Sequence, residues 1–166
     1  MKIMLFGKQR SGKDTVADYL CKVYGFVKIP LATKVYDIAK DVFGMQEKNR
    51  SLLIAIGESL RTIDPAVFAK WVLRQSTQHE NIVVPDVRLP IEYMTLLHAG
   101  FIPIKVSASQ RVRSHRPGFT REHEKHYTEN YFNLFMPFYE IINEGTFEDL
   151  YKEIDKMMQF LEDVRT

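Results

Sequence analysis

The sequence predicts an α/β fold with a mainly parallel, five-stranded sheet. Three observations carry that expectation. Short apolar runs alternate with helical patterns along the chain. Several of those runs, such as Ile82-Val83-Val84, are apolar at consecutive positions, as in buried strands. The first run, residues 3–6, stops at Gly7 and leads through a glycine-bearing turn into a helix.

The elements follow in order. After the strand at residues 3–6, a helix starts at Lys13 with Val16, Leu20 and Val23 on one face and Gly25 as its stop. Residues 26–31 read as a short strand that Pro30 places at an edge. Residues 33–43 carry Val35, Ile38, Ala39 and Val42 at helical spacing, and Leu52, Leu53, Ile56 and Leu60 repeat the period. Gly57 reads as a break between two helical stretches. Asp64-Pro65 reads as an N-cap followed by a proline at the first helical position, opening a helix with Phe68, Trp71 and Val72. Residues 81–87 read as a buried strand, Pro90 opens a helix that Gly100 ends, and residues 101–106 form the next strand, where Pro103 predicts a bulge or an unpaired position. Residues 107–125 read as polar loop or short helices, and residues 138–143 as the last strand. Gly145-Thr146 starts a final helix with Phe147, Leu150, Ile154, Met157 and Leu161 along one face.

At 166 residues the chain is about one domain long, so a single domain over residues 1–166 is expected. A hydrophobic fraction of 45% and a charged fraction of 27% argue against wholesale disorder and collagen-like architecture. The net charge of +2 gives no general attraction for nucleic acid or membrane, so neither a stable nucleic-acid complex nor membrane association is expected. Cys21 is the only cysteine, which excludes an intrachain disulfide and a cysteine-based zinc cluster. The first apolar run is too short for a signal peptide and no stretch is long enough to span a membrane, so the expectation is a cytoplasmic protein, monomeric or homodimeric.

In parallel α/β sheets the chemistry gathers outside the carboxyl ends of the strands. Residues 7–15, Gly7-Lys8-Gln9-Arg10-Ser11-Gly12-Lys13-Asp14-Thr15, follow the first strand and open the first helix. Their G-x4-G-K spacing is that of a phosphate-binding loop. Glycines let the backbone curl so that successive N–H groups point at phosphate oxygens, the helix N-terminus adds partial positive charge, and Lys13 reaches the outer phosphates. The position after the lysine, usually Ser or Thr, holds Asp14, with Thr15 one place later. Asp14 can coordinate Mg²⁺ or hold a metal-bound water, and both alternatives stand. A glycine-bearing turn with a surface lysine is the plainer reading; the strand–turn–helix context favours phosphate.

Asp86 and Arg88 stand at the end of the second long apolar run. An Asp there holds Mg²⁺ through water or orients an attacking oxygen, and Arg88 binds a phosphate on an acceptor. The plainer reading is a helix cap beside a solvated arginine. Arg111, Arg113, Arg116 and Arg121 crowd a segment with no acidic residue among them. Guanidiniums so placed repel unless an anion is expected, which suits a lid, about residues 109–125, closing over a triphosphate. A solvated loop or a nucleic-acid patch are the rivals. His115, His123 and His126 lie near Glu122, Glu124 and Glu129, but the spacing matches no metal-ligand pattern, and they read as polar lid residues. Tyr36, Asp37, Lys40, Arg50 and Arg61 lie on the middle helices, residues 33–78, where Tyr36, Arg50 and Arg61 can line a second-substrate cleft.

Taken together these residues resemble the phage-type deoxynucleoside monophosphate kinases of the P-loop nucleoside monophosphate kinase superfamily. The resemblance is carried by Arg10-Ser11-Gly12-Lys13-Asp14-Thr15-Val16-Ala17-Asp18, Val83-Val84-Pro85-Asp86-Val87-Arg88, His126-Tyr127-Thr128-Glu129 and Ile141-Ile142-Asn143-Glu144-Gly145-Thr146. It implies a P-loop kinase-like three-layer sandwich with a short arginine-rich lid. The implied activity is transfer of the γ-phosphoryl group of ATP, with Mg²⁺, to a (deoxy)nucleoside 5′-monophosphate. It also implies that Gly7, Arg10, Ser11, Gly12, Lys13, Asp14 and Thr15 hold ATP, that Asn143, Gly145 and Thr146 touch its base, and that Arg61 and Arg88 bind the acceptor phosphate. Lys13, Asp86, Arg111, Arg113 and Arg116 become the catalytic candidates, and Asp14, Thr15 and Asp86 the metal candidates. The rivals are a small-metabolite kinase of the phosphomevalonate or dephospho-coenzyme A type and a non-catalytic ATP-binding regulatory module.

Overall fold

The computed structural model describes residues 1–124 and 127–165, with side chains described for all of these except residues 123, 124 and 127–129. Five strands form one sheet: β1 (Lys2–Phe6), β2 (Val27–Lys28), β3 (Ile82–Val84), β4 (Ile102–Ser107) and β5 (Tyr139–Ile142). Their order is β2-β3-β1-β4-β5, with every neighbouring pair parallel. The helices are α1 (Lys13–Tyr24), α2 (Thr33–Asp41), α3 (Arg50–Ile63), α4 (Val67–Gln75), α5 (Pro90–His98), α6 (Gln110–Ser114), α7 (Arg121–Glu124) and α8 (Phe147–Asp163). Among the described residues, no helix is long and apolar enough to cross a membrane.

The two-residue repeat of β1 explains the three layers. Ile3 and Leu5 point to one face of the sheet, where Val16, Ala17 and Leu20 of α1 meet Leu150, Ile154, Met157 and Leu161 of α8. Met4 and Phe6 point to the other face, where Val35, Ile56, Phe68 and Leu96 bring in α2 to α5. A central strand buried on both faces has no polar position to spare, which is why it reads as an uninterrupted apolar run. Each such side chain contributes on the order of 1.5–3 kcal/mol of transfer free energy.

Several local expectations are corrected. Val23 is exposed, because the inner stripe of α1 runs through Val16, Ala17 and Leu20 to the partly buried Tyr24. Val42 and Phe43 are also exposed, since α2 ends at Asp41. Gly57 does not break a helix: α3 runs continuously from Arg50 to Ile63. Asp64 is two residues early as an N-cap. It closes α3, its carboxylate accepts from the Ala66 N–H at 3.0 Å, and α4 begins at Val67. Pro103 causes no bulge. It sits in register with Met4, and its carbonyl accepts from the Phe138 N–H at 2.8 Å. In an extended strand the missing N–H would face that same edge, which β5 joins only from Tyr139 onward. Strand β3 stops at Val84 because Pro85 has no N–H to continue the ladder. Phe147 opens α8 exposed and outside the buried stripe.

The parallel order brings the segments after β1, β3, β4 and β5 to one edge of the sheet. Replacing Ile104, which is fully buried in β4 opposite Leu5, by Ala should cost about 2–5 kcal/mol in a urea unfolding measurement. A loss well under about 1 kcal/mol would mean that the sheet does not depend on this layer.

Candidate active site

The turn between β1 and α1 is shaped by three residues with positive φ: Gly7 at 140°, Arg10 at 59° and Gly12 at 108°. At Gly7 a Cβ would stand 2.2 Å from the Val106 carbonyl oxygen, so only glycine lets the chain turn this close to β4. At Gly12 a Cβ would stand 2.3 Å from Nδ2 of Asn143. Gly12 gives α1 no side-chain cap, so the amides of the first turn are left for an anion. Ser11 is fully buried in the turn, and its hydroxyl has no hydrogen-bond partner among the described residues. Nζ of Lys13 folds back on the turn, donating to the carbonyls of Gly7 at 2.7 Å and Lys8 at 2.9 Å.

Groups from distant segments grip this turn from behind. The Asn143 side-chain amide donates to the Ser11 carbonyl at 2.8 Å. Arg116 donates to the carbonyls of Arg10 at 2.7 Å and Asn143 at 3.0 Å. Arg113, only 2% exposed, donates to the carbonyls of Ala108 at 3.0 Å and Gln9 at 3.2 Å. Gln9 in turn donates to the Thr120 carbonyl at 2.6 Å. The arginine-rich segment is therefore tied to the loop in this structure. Its arginines divide: Arg113 is buried against backbone, Arg116 is partly buried at the cleft, and Arg111 and Arg121 are exposed. Burial and nearby Arg113 pull the Arg116 pKa below the usual arginine value, against the opposing charge of Glu144.

Two clefts flank the loop. The first, of about 540 Å³, is lined by Arg10, Gly12, Lys13, Asp14, Thr15 and Arg116 on one side and by Asn143, Gly145, Thr146 and Phe147 on the other. Thr146 caps α8, its hydroxyl accepting from the Asp149 N–H at 3.2 Å. Asp14 is ion-paired with Lys28 at 3.0 Å. The second cleft, of about 310 Å³, is lined by Gln9, Tyr36, Lys48, Arg50, Arg61, Phe68, Asp86, Arg88 and Glu92, among others. The sequence thus named Tyr36, Arg50, Arg61, Asp86 and Arg88 from three separate segments, α2, α3 and the turn after β3, and all five stand in one cleft. Asp86 spends both carboxylate oxygens on backbone, accepting from the N–H groups of Leu31 at 2.8 Å and Ala32 at 3.0 Å just before α2.

Three polar lining residues, Gln9, Lys48 and Glu92, were not among the candidates the sequence offered. Gln9 is an x position of the loop, and Lys48 sits in a polar stretch before α3. Glu92 was hidden inside a helix as the third residue from its start, although an acid there is a known capping signal. His126 and the side chains of His123, Glu124 and Glu129 lie outside the described residues. Among the described residues, no group of three or more His, Cys, Asp or Glu is placed to hold a metal.

A parallel sheet with a glycine-shaped turn after its central strand is the fold of the P-loop kinases, and comparison with solved structures bears this out for the fold. Shikimate kinase from Aquifex aeolicus is 16% identical, with 98% of each chain covered and a TM-score of 0.59. A gluconokinase from Sinorhizobium meliloti is 12% identical, with 99% of this chain and 97% of the other covered and a TM-score of 0.59. Dephospho-CoA kinase from Campylobacter jejuni is 15% identical, with 95% of each chain covered and a TM-score of 0.54. More particularly, residues 2–66, which include the turn between β1 and α1, α2 and all of α3, match the family model of deoxynucleotide monophosphate kinases. No curated protein matches the chain in a sequence search. The matching family and these structural neighbours are kinases.

Burial pushes the Asp86 carboxyl up to about 6, outweighing the two amide hydrogen bonds that favour its charged form; Glu92 adds to the rise and Arg88 opposes it. A carboxyl pKa raised in the folded state costs stability as pH rises from its unfolded value towards 6. The wild type should therefore lose stability relative to Asp86→Asn between about pH 4 and pH 6, and the difference should be level above that. Parallel pH dependences in the two proteins would show that Asp86 ionises as it does in water.

Proposed function

We propose that this protein transfers the γ-phosphoryl group of ATP to a (deoxy)nucleoside 5′-monophosphate. One observation carries the reading: a single loop walls both clefts, with Gln9 in the second and Arg10 and Gly12 to Thr15 in the first. A donor and an acceptor placed on either side of one phosphate cradle would meet across it. The second cleft gathers Lys48, Arg50, Arg61 and Arg88, more positive charge than an uncharged acceptor needs and suited to a phosphate monoester. The family match over residues 2–66 supports the same acceptor class.

The loop amides and the buried Ser11 hydroxyl would bind the donor phosphates, and Lys13 would leave the Gly7 and Lys8 carbonyls to do so. Arg116 and Arg111 would neutralise charge on the group in transfer, while Arg113 holds the Gln9 backbone in place. An acceptor phosphate oxygen would form the new bond to the γ-phosphorus as the bond to the β-phosphate oxygen breaks, leaving ADP. That oxygen is already anionic at neutral pH, so no strong general base is needed, and the protein's task is positioning and charge neutralisation. Asp86 would fix the start of α2 and so the wall that carries Tyr36. The Thr15 hydroxyl and the Asp14 carboxylate both line the first cleft, a donor set that fits Mg²⁺ shared with nucleotide phosphates better than a full protein cage. When bound, Mg²⁺ would supply further neutralisation of the β- and γ-phosphates.

Lys13→Ala should lower kcat by at least about 100-fold without changing the circular dichroism spectrum. Near-normal turnover would defeat the assignment. In a coupled assay over all ribo- and deoxynucleoside monophosphates, at least one should stimulate ADP release, and Arg88→Ala should raise that acceptor's KM while leaving the KM for ATP unchanged. Stimulation by phosphomevalonate or dephospho-coenzyme A alone would transfer the protein to the small-metabolite kinases, and no stimulation by any acceptor would make it a binding module.

A further inference from the structure

We propose that Glu92 is a positioning residue for the acceptor phosphate: its buried carboxylate sets the Arg61 guanidinium and the Arg88 backbone in one arrangement along the second cleft. The inference rests on the monophosphate acceptor proposed above and goes beyond it, since Glu92 itself need touch no substrate.

The Glu92 side chain is 2% exposed. A carboxylate so deeply placed is costly unless its oxygens are satisfied. Oε1 accepts from Nη2 of Arg61 at 3.0 Å, and Oε2 accepts from the N–H groups of Arg88 at 3.2 Å and Leu89 at 3.1 Å. One side chain thus joins α3, 31 residues earlier in the chain, to the turn after β3 that carries Arg88. A helix start can be capped by a local Ser or Asp. Here the group that serves the two amides just ahead of α5 also reaches across to an arginine of the cleft.

The surroundings of Arg61 are shaped for a fixed guanidinium. It lies over the Phe68 ring at 4.8 Å. A Cβ on Gly57 would stand 3.2 Å from its Nη1, so the glycine in mid-helix leaves the guanidinium its place. Nε of Arg61 is buried and has no hydrogen-bond partner among the described residues. Arginine has five N–H donors, and Glu92 is shown taking only one of them. The ion pair therefore orients the fork and leaves donors for an anion in the cleft that both residues line. An arginine held in advance loses less conformational freedom when the acceptor arrives than one free to sample solvent.

Glu92→Gln tests this selectively. Glutamine has nearly the same volume and keeps one oxygen for the amides at the start of α5, but its other arm is a donor and cannot hold Arg61. Binding of each of the four 2′-deoxynucleoside 5′-monophosphates, and of ATP, is measured by titration calorimetry on wild type, Glu92→Gln, Arg61→Ala and the double variant. The expected result is a loss of about ten- to a hundredfold in monophosphate affinity for Glu92→Gln. ATP affinity should be unchanged, and the double variant should be no weaker than Arg61→Ala alone. Wild-type monophosphate affinity in Glu92→Gln would overturn the proposal, as would losses that add in the double variant or an equal fall in ATP affinity. The Arg61 Nε–H resonance in a ¹⁵N spectrum gives a readout that needs no nucleotide: it should shift and broaden in Glu92→Gln, and an unchanged signal would overturn the proposal. If the wild type bound no monophosphate, the acceptor reading would fail separately, and the link between Glu92 and Arg61 would be judged on that resonance.

Discussion

The structure depends on how a six-residue turn between β1 and α1 is held open. Its backbone carbonyls are drawn outward by Arg113, Arg116 and Asn143, which donate to Gln9, Arg10 and Ser11. A peptide whose carbonyl is held on one side presents its N–H on the other. That geometry turns the Arg10 and Gly12 amides toward the head of α1, where the helix dipole has the same sign, while the Ser11 N–H turns back to the Lys8 carbonyl at 3.2 Å. The grip comes from the segment after β4 and from the end of β5, so the cradle exists only when the sheet order is complete. Fold and site are in this sense one construction: β1 presents the loop with β4 beside it and β5 beside β4.

The proposed binding of several phosphates is compatible with a net charge of only +2 because of where the positive residues stand. Positive charge is concentrated at one edge of the sheet, with Arg10, Lys13 and Arg116 around one cleft and Lys48, Arg50, Arg61 and Arg88 around the other. Counter-charges stand in the same cleft walls, Asp14 in the first and Asp86 and Glu92 in the second. Glu92 takes Arg61, and Lys28 is shared between Asp14 and Asp18, a pairing that outweighs burial and raises the lysine pKa.

Much of this was legible in the sequence because it is local. The phosphate loop announces itself by glycine spacing between a strand and a helix, and the buried stripe of α8 by its period. Leu150, Ile154, Met157 and Leu161 fall where that period puts them. What the sequence hid is tertiary. Gly57 looks like a helix break until Arg61 is seen to need the space. Pro103 looks like a flaw in β4 until β5 is found to start beyond it. Arg111, Arg113 and Arg116 look alike in the chain, yet their depths differ because α6 turns Arg113 inward against the loop and leaves Arg111 in solvent. Glu92 and Arg61 are 31 residues apart, with no pattern in either helix to join them.

The central claim, that one loop serves donor and acceptor together, is tested most directly by a crystal structure with a bisubstrate analogue, adenosine joined through five phosphates to a 2′-deoxynucleoside. The account predicts adenosine beside Asn143 and Thr146, phosphates along residues 7–15 with Lys13 turned away from the Gly7 and Lys8 carbonyls, and the second nucleoside against Arg61 and Arg88. An analogue held in one cleft only, with Lys13 still bound to those carbonyls, would contradict it.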